Sequence, residues 1–199
     1  MADLAYYPFD GNTNDLTGNG FNGTLVGTGG YTTDKNGISN SALNFDGDGD
    51  SVNISAHSAN LKFPNGFSFS CWIKFDLLTG TYGNAGYYSR FISLNDTSGN
   101  NEIILSLAWN PQHELTLYIS NGSNSDYLKT STGDSLISTG VWMMLSATFN
   151  NTTKEGIIYK DGVPISSKIF TYAYDTSVAR NKSYIGDTGD NNRELDGAM

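Results

Sequence analysis

The chain has a single cysteine, Cys71, among its 199 residues, so no internal disulfide can staple the fold. Cys71 falls in the apolar phase of an alternating run. It therefore reads as a buried, inert thiol; a reactive one would need an exposed, electropositive setting. Charge is scarce at 16% of residues, and it leans acidic, with 20 Asp and Glu against 11 Lys and Arg. A net charge of −9 excludes a protein that binds nucleic acid by neutralising phosphates. No apolar run approaches the roughly 20 residues of a membrane helix, and the start, Met1-Ala2-Asp3 leading straight into Leu4, reads as lacking a secretory signal. Helix formers are scarce and Glu/Lys pairing at helical spacing is missing, which argues against a helical protein.

What is present is aromatic and turn-rich. Aromatics make up 13% of the chain, too many for a disordered segment, and 23 glycines punctuate short apolar runs. Strand-like runs are predicted near 3–9, 22–26, 42–46, 51–55, 67–76, 88–94, 102–109, 115–120, 141–150, 156–160, 163–170 and 182–186. Phe67, Phe69, Cys71, Ile73 and Phe75 alternate with Ser68, Ser70, Trp72 and Lys74, as a half-buried strand requires. Val141 to Phe149, Ile103 to Leu107 and Leu115 to Ile119 repeat the pattern. Rows of this kind fill the space between two stacked sheets. Trp72, Trp142, Met144 and Tyr118 fall on the opposite faces of their strands, either under a covering loop or lining a concave surface. Lys160-Asp161-Gly162-Val163 reads as a tight hairpin, and Asp46-Gly47-Asp48-Gly49-Asp50 reads as a second turn of the same kind. No stretch of linker composition divides residues 1–199, which are read as one domain.

The order of these motifs is recognisable. Leu4-Ala5-Tyr6-Tyr7-Pro8-Phe9-Asp10-Gly11, Ala42-Leu43-Asn44-Phe45-Asp46-Gly47, Phe67-Ser68-Phe69-Ser70-Cys71-Trp72-Ile73-Lys74, Tyr159-Lys160-Asp161-Gly162 and Leu195-Asp196-Gly197-Ala198 together resemble the laminin-G-like domains of the concanavalin A-like class. The resemblance implies an all-β, two-sheet antiparallel jelly-roll sandwich that binds carbohydrate or protein partners at a cell or virion surface. It also implies that a structural calcium, where present, sits near the N-terminal motif and the C-terminal Asp-Gly segment, which here means Asp10, Asp15 and Asp196. In the family the last motif runs on into a closing strand. The chain ends at Met199, so this strand is either missing or supplied by another chain at an open sheet edge.

Catalytic chemistry finds little footing. A retaining glycosidase needs two carboxyls about 5–5.5 Å apart, and none of Glu102, Glu114, Glu155 and Glu194 opens the Glu-x-Asp-x-Glu-like run of the enzymes on this fold. The two histidines, His57 and His113, lack metal-ligand spacing. No nucleophile elbow is present, and Gly27–Gly30 lacks the helix a phosphate loop requires. For sugars, aromatic faces interleaved with amides are the useful feature. Residues 81–88 and 109–113 carry them, which nominates Tyr82, Tyr87 and Trp109. Three functions follow: a non-catalytic lectin-like adhesion module, a structural or interaction module of a virion or cell surface such as a fibre knob, and, least supported, a glycoside hydrolase.

Overall fold

The computed structural model describes residues 3–76, 88–108, 113–131, 136–187 and 194–199. Two seven-stranded antiparallel sheets face one another. The strands are β1 (Thr24–Val26), β2 (Tyr31–Thr32), β3 (Ala42–Asp46), β4 (Ser51–Asn53), β5 (Gly66–Phe75), β6 (Tyr88–Asn95) and β7 (Ile103–Ala108), then β8 (Glu114–Ser120), β9 (Ser125–Lys129), β10 (Met143–Asn150), β11 (Glu155–Lys160), β12 (Val163–Ile169), β13 (Lys182–Ile185) and β14 (Asp196–Ala198). One sheet runs β1-β4-β13-β6-β7-β8-β9 and the other β12-β11-β10-β5-β14-β3-β2. Among the described residues the helical content is one 3-10 turn, Ser55–His57, and no helix is long and apolar enough to cross a membrane. This is the two-sheet jelly-roll sandwich the motifs implied.

Alternation builds the core. Met143, Leu145, Ala147 and Phe149 of β10 face inward beside Phe67 and Ile73 of β5. They meet Ile103, Leu105, Leu107, Leu115, Leu117 and Ile119 from the opposite sheet. Phe67, Phe149, Phe170 and Tyr174 form an aromatic cluster at one end. At Gly186 (φ +89°) a Cβ would lie 2.2 Å from Cε1 of Phe45, so only glycine lets the ring reach the backbone.

The structure corrects several expectations. Residues 3–9 form no strand: the N–H of Tyr6 donates to Asp15, its carbonyl accepts from Leu16, and Phe9 turns at φ +57°. The Asp46–Asp50 segment is not a hairpin. It carries the chain from one sheet to the other, pinned by the buried Asp50 carboxylate, which accepts from the N–H groups of Thr28, Gly29 and Asp46. The Asp161-Gly162 turn does close a hairpin, with both residues at positive φ.

β14 lies inside a sheet, between β5 and β3, yet its register with β5 covers only Lys74 and Phe75. The N–H of Asp76 donates to the Asp196 carbonyl, so even-numbered residues of β5 direct their backbone groups to this side. Beyond Lys74, no strand among the described residues pairs with this edge at Ser68, Ser70 or Trp72. Accordingly, the inward-pointing Phe69 and Cys71 are only half-covered. Burial still pushes the Cys71 thiol up to about 12, which makes it a poor nucleophile. Lys35, between β2 and β3, holds its ammonium 4.5 Å from the Trp72 ring and partly covers it.

Candidate functional site

The outer faces of β6 to β9 carry side chains that do not belong to a simple solvent face. Register places Arg90 opposite Ser106, Ser106 opposite Thr116, and Thr116 opposite Lys129, a polar row crossing four strands. The neighbouring row holds Ile104, Tyr118 and Tyr127. Small residues make the floor and long ones the walls, so the rows enclose a groove of about 350 Å³ lined by Arg90, Glu102, Ser106, Thr116, Tyr127 and Lys129, among others. All six residues of β7 are buried on both faces, as expected of a groove floor.

Each charge here has a partner. Arg90 lies 3.8 Å from Glu102 and donates to the Ser93 hydroxyl. Lys129 lies 3.4 Å from Glu114, and Lys168, reaching over from β12, lies 2.5 Å from Asp126. The ammoniums of Lys129 and Lys168 approach the Tyr127 ring at 5.1 and 5.6 Å from its centre, holding in place a ring that remains 51% exposed. Among the hydroxyls lining the groove, one stands apart. The hydroxyl of Thr116, a residue 4% exposed, has no hydrogen-bond partner among the described residues. A buried hydroxyl is normally satisfied, so an unsatisfied one in a groove suits a ligand.

Of the sequence-nominated sugar contacts, Tyr82, Tyr87 and Trp109 lie outside the described residues. The strands leading into those segments, β6 and β7, are two of those forming the groove. Tyr118, assigned by sequence to the face opposite the core, does line it. Arg90, Glu102, Thr116, Tyr127 and Lys129 were missed as site residues. Their signal was polar residues in the outward phase of strands whose outward face is nonetheless buried, and burial is not legible in one sequence.

The proposed calcium ligands do not meet. Among the described residues no group of three or more His, Cys, Asp or Glu side chains is placed to hold a metal ion. Asp10 is exposed. Asp15 is buried and surrounded by donors, accepting from the N–H groups of Tyr6, Thr17 and Phe21 and from the Thr17 hydroxyl. Burial alone would raise its pKa, but the hydrogen bonds from Thr17, Tyr6 and Phe21 outweigh that and hold it at about 2. A carboxylate ringed by N–H and O–H groups presents the wrong polarity to a cation, so this trio does not fit calcium. Asp15→Ala is expected to destabilise the fold by about 2–3 kcal/mol in denaturant unfolding, because several donors lose their acceptor together. Since the folded pKa is depressed, the contribution of Asp15 is present above about pH 4 and is lost as pH falls towards 2.

Asp196 lies in β14 opposite Asp46, and its pKa is raised by burial and by Asp76 and Asp46. Beside it, Glu194 accepts from the N–H of Gly49, yet burial, with Asp187, Asp48 and Asp46 nearby, pushes its pKa up to about 7. The folded state therefore holds a proton that the unfolded chain releases near pH 4.5, and stability falls as pH rises from there to about 7. After allowance for solvent screening of this half-buried group, the loss is about 1 kcal/mol. Glu194→Gln is expected to flatten that slope in unfolding measured between pH 4 and 8; an unchanged slope would place the titration elsewhere.

Comparison with known proteins bears on the fold. A family model for the concanavalin A-like lectin/glucanases superfamily, of laminin-G type, matches residues 45–199. No curated protein sequence matches the chain. Among solved structures, domain 4 of AbnA, a GH43 extracellular arabinanase from Geobacillus stearothermophilus in complex with arabinotriose, is similar at TM-score 0.67 and 22% identity, over 98% of this chain and 87% of that one. The CBM40 of the Ruminococcus gnavus IT-sialidase, bound to α2,3 sialyllactose, superposes at TM-score 0.60 and 15% identity, over 79% and 85%. Tailspike protein 2 of the Escherichia coli O157:H7 bacteriophage CAB120 gives 0.62 and 14%, covering 88% of this chain but 24% of the tailspike. At these identities the likeness is one of fold, and with the family model spanning most of its length the chain belongs to the concanavalin A-like lectin/glucanases superfamily.

Proposed function

We propose that the protein is a non-catalytic carbohydrate-binding module, displayed outside the cell or on a surface, and that its glycan lies in the groove over β6 to β9. The observation that carries this reading is the buried, unpartnered Thr116 hydroxyl on a polar floor beside the half-exposed Tyr127. Sugars need such a pairing, an apolar ring for their C–H face and fixed polar groups for their hydroxyls. The arabinotriose and sialyllactose bound by two fold neighbours support the same class of ligand. Hydrolysis is disfavoured by spacing. Glu102 lies opposite Ser120 and Glu114 opposite Ala108, at the two ends of β8, roughly 20 Å apart at 3.4 Å per residue, against the 5–9.5 Å a carboxylate pair needs.

Thr116→Val provides the test, read by thermal unfolding and titration across an oligosaccharide panel. Removing a buried hydroxyl that has no partner should leave stability unchanged or raise it by up to about 1 kcal/mol, while weakening the best glycan roughly fivefold. A destabilised variant with undiminished binding would mean that the hydroxyl serves the fold, not a ligand.

A second reading, an interaction module that accepts a strand from another chain, is favoured by the β5 edge at Ser68, Ser70 and Trp72, which no strand among the described residues pairs. In the isolated protein the amides of Ser70 and Trp72 should exchange with solvent far faster than those of β10. Protected amides would show that the edge is already closed.

A further inference from the structure

We infer that the groove selects uncharged oligosaccharides and discriminates against sialylated or uronic-acid glycans. The inference rests on the glycan-binding reading and narrows it. Recognition of an anionic sugar requires a cation whose charge is not already neutralised, preferably a guanidinium open to a carboxylate on two of its donors. The cations around this groove do not meet that requirement. Arg90 is 6% exposed, engaged with Ser93 and close to Glu102; Lys129 is held by Glu114; Lys168 is held by Asp126. Within the lining Arg90 and Lys129 stand against Glu102, and Glu114, beside Lys129, completes the balance; Lys168 and Asp126, outside the lining, offset one another. Long-range forces add to the discrimination, because a chain of net charge −9 repels an anion before contact. The remaining chemistry, carboxylates and hydroxyls that accept and donate beside Tyr118 and Tyr127, matches neutral sugar hydroxyls.

The experiment compares neutral probes (arabinotriose, cello- and galacto-oligosaccharides) with anionic probes (sialyllactose and oligogalacturonate) on the full chain, by titration at low and high salt. The best neutral probe is expected to bind at least about tenfold more tightly than either anionic one. Its affinity is expected to change less than about twofold between about 20 and about 500 mM NaCl, since screening acts little on an uncharged ligand. Glu114→Gln, which frees the partly exposed Lys129, should narrow the gap at least about threefold by gain of anionic binding that high salt removes. Anionic probes binding the wild type as tightly as neutral ones, with strong salt dependence, would overturn the inference and leave the glycan reading standing. Binding of no probe at all would overturn both. Should Glu114→Gln fail to fold, the salt dependence and the neutral-to-anionic ratio of the wild type decide the matter alone.

Discussion

Replacing Arg180 with alanine is expected to cost about 3–5 kcal/mol of folding stability, the largest effect of any single side chain considered. Arg180 is fully buried. Its guanidinium donates to the carbonyl of Leu61, 119 residues away in sequence, and to that of Asp175, while lying 5.2 Å from the Tyr174 ring. Burial pulls its pKa down from the usual arginine value, a sign of how little solvent it keeps. Truncation would leave two carbonyls without donors and a cavity beside Tyr174 and the aromatic cluster. For a domain of this size the melting temperature should fall by roughly 10 °C. Arg180→Lys should recover only part of the loss, because a point ammonium cannot reach both carbonyls as a planar fork does. A Tm within about 2 °C of wild type for Arg180→Ala would show that these contacts do not brace the fold.

Tyr127→Ala carries the largest expected effect on binding. Stacking of a sugar on this ring should contribute about 1.5 kcal/mol, so affinity should fall roughly tenfold. The side chain is 51% exposed on an outer face, so Tm should move by less than about 2 °C. Tyr127→Phe keeps the ring and should bind within about threefold of wild type, which separates stacking from any role of the hydroxyl. Equal losses from Tyr127→Ala and Tyr127→Phe would assign the effect to the hydroxyl.

The architecture was far more legible in the sequence than the site. Ten-residue alternation in β5 and eight-residue alternation in β10 fix both the strands and their inward faces, because a period of two leaves one side buried. Short polar strands escaped. β9, Ser125–Lys129, has one apolar residue facing inward and reads as loop, and β14 is three residues long. Residues 3–9 erred the other way. Their apolar content suggests a strand, but Asp15 takes the N–H of Tyr6, which a neighbouring strand would otherwise need. Asp15 itself shows why clustered acids mislead: sequence shows the carboxylate and not the ring of donors around it. The groove residues lie on four strands between residues 90 and 129, and only pairing register lines up Arg90, Ser106, Thr116 and Lys129. Nothing in their separate neighbourhoods announces that alignment.

The central claim is that a glycan occupies the outer face of β6 to β9. Amide chemical-shift mapping of the labelled protein against the tightest-binding oligosaccharide tests it most directly. The account predicts shifts clustered at Ser106, Thr116, Tyr118, Tyr127 and Lys129, with β5 and the Asp46–Asp50 segment unmoved. Shifts confined to the β5 edge, or to residues remote from the groove, would contradict it.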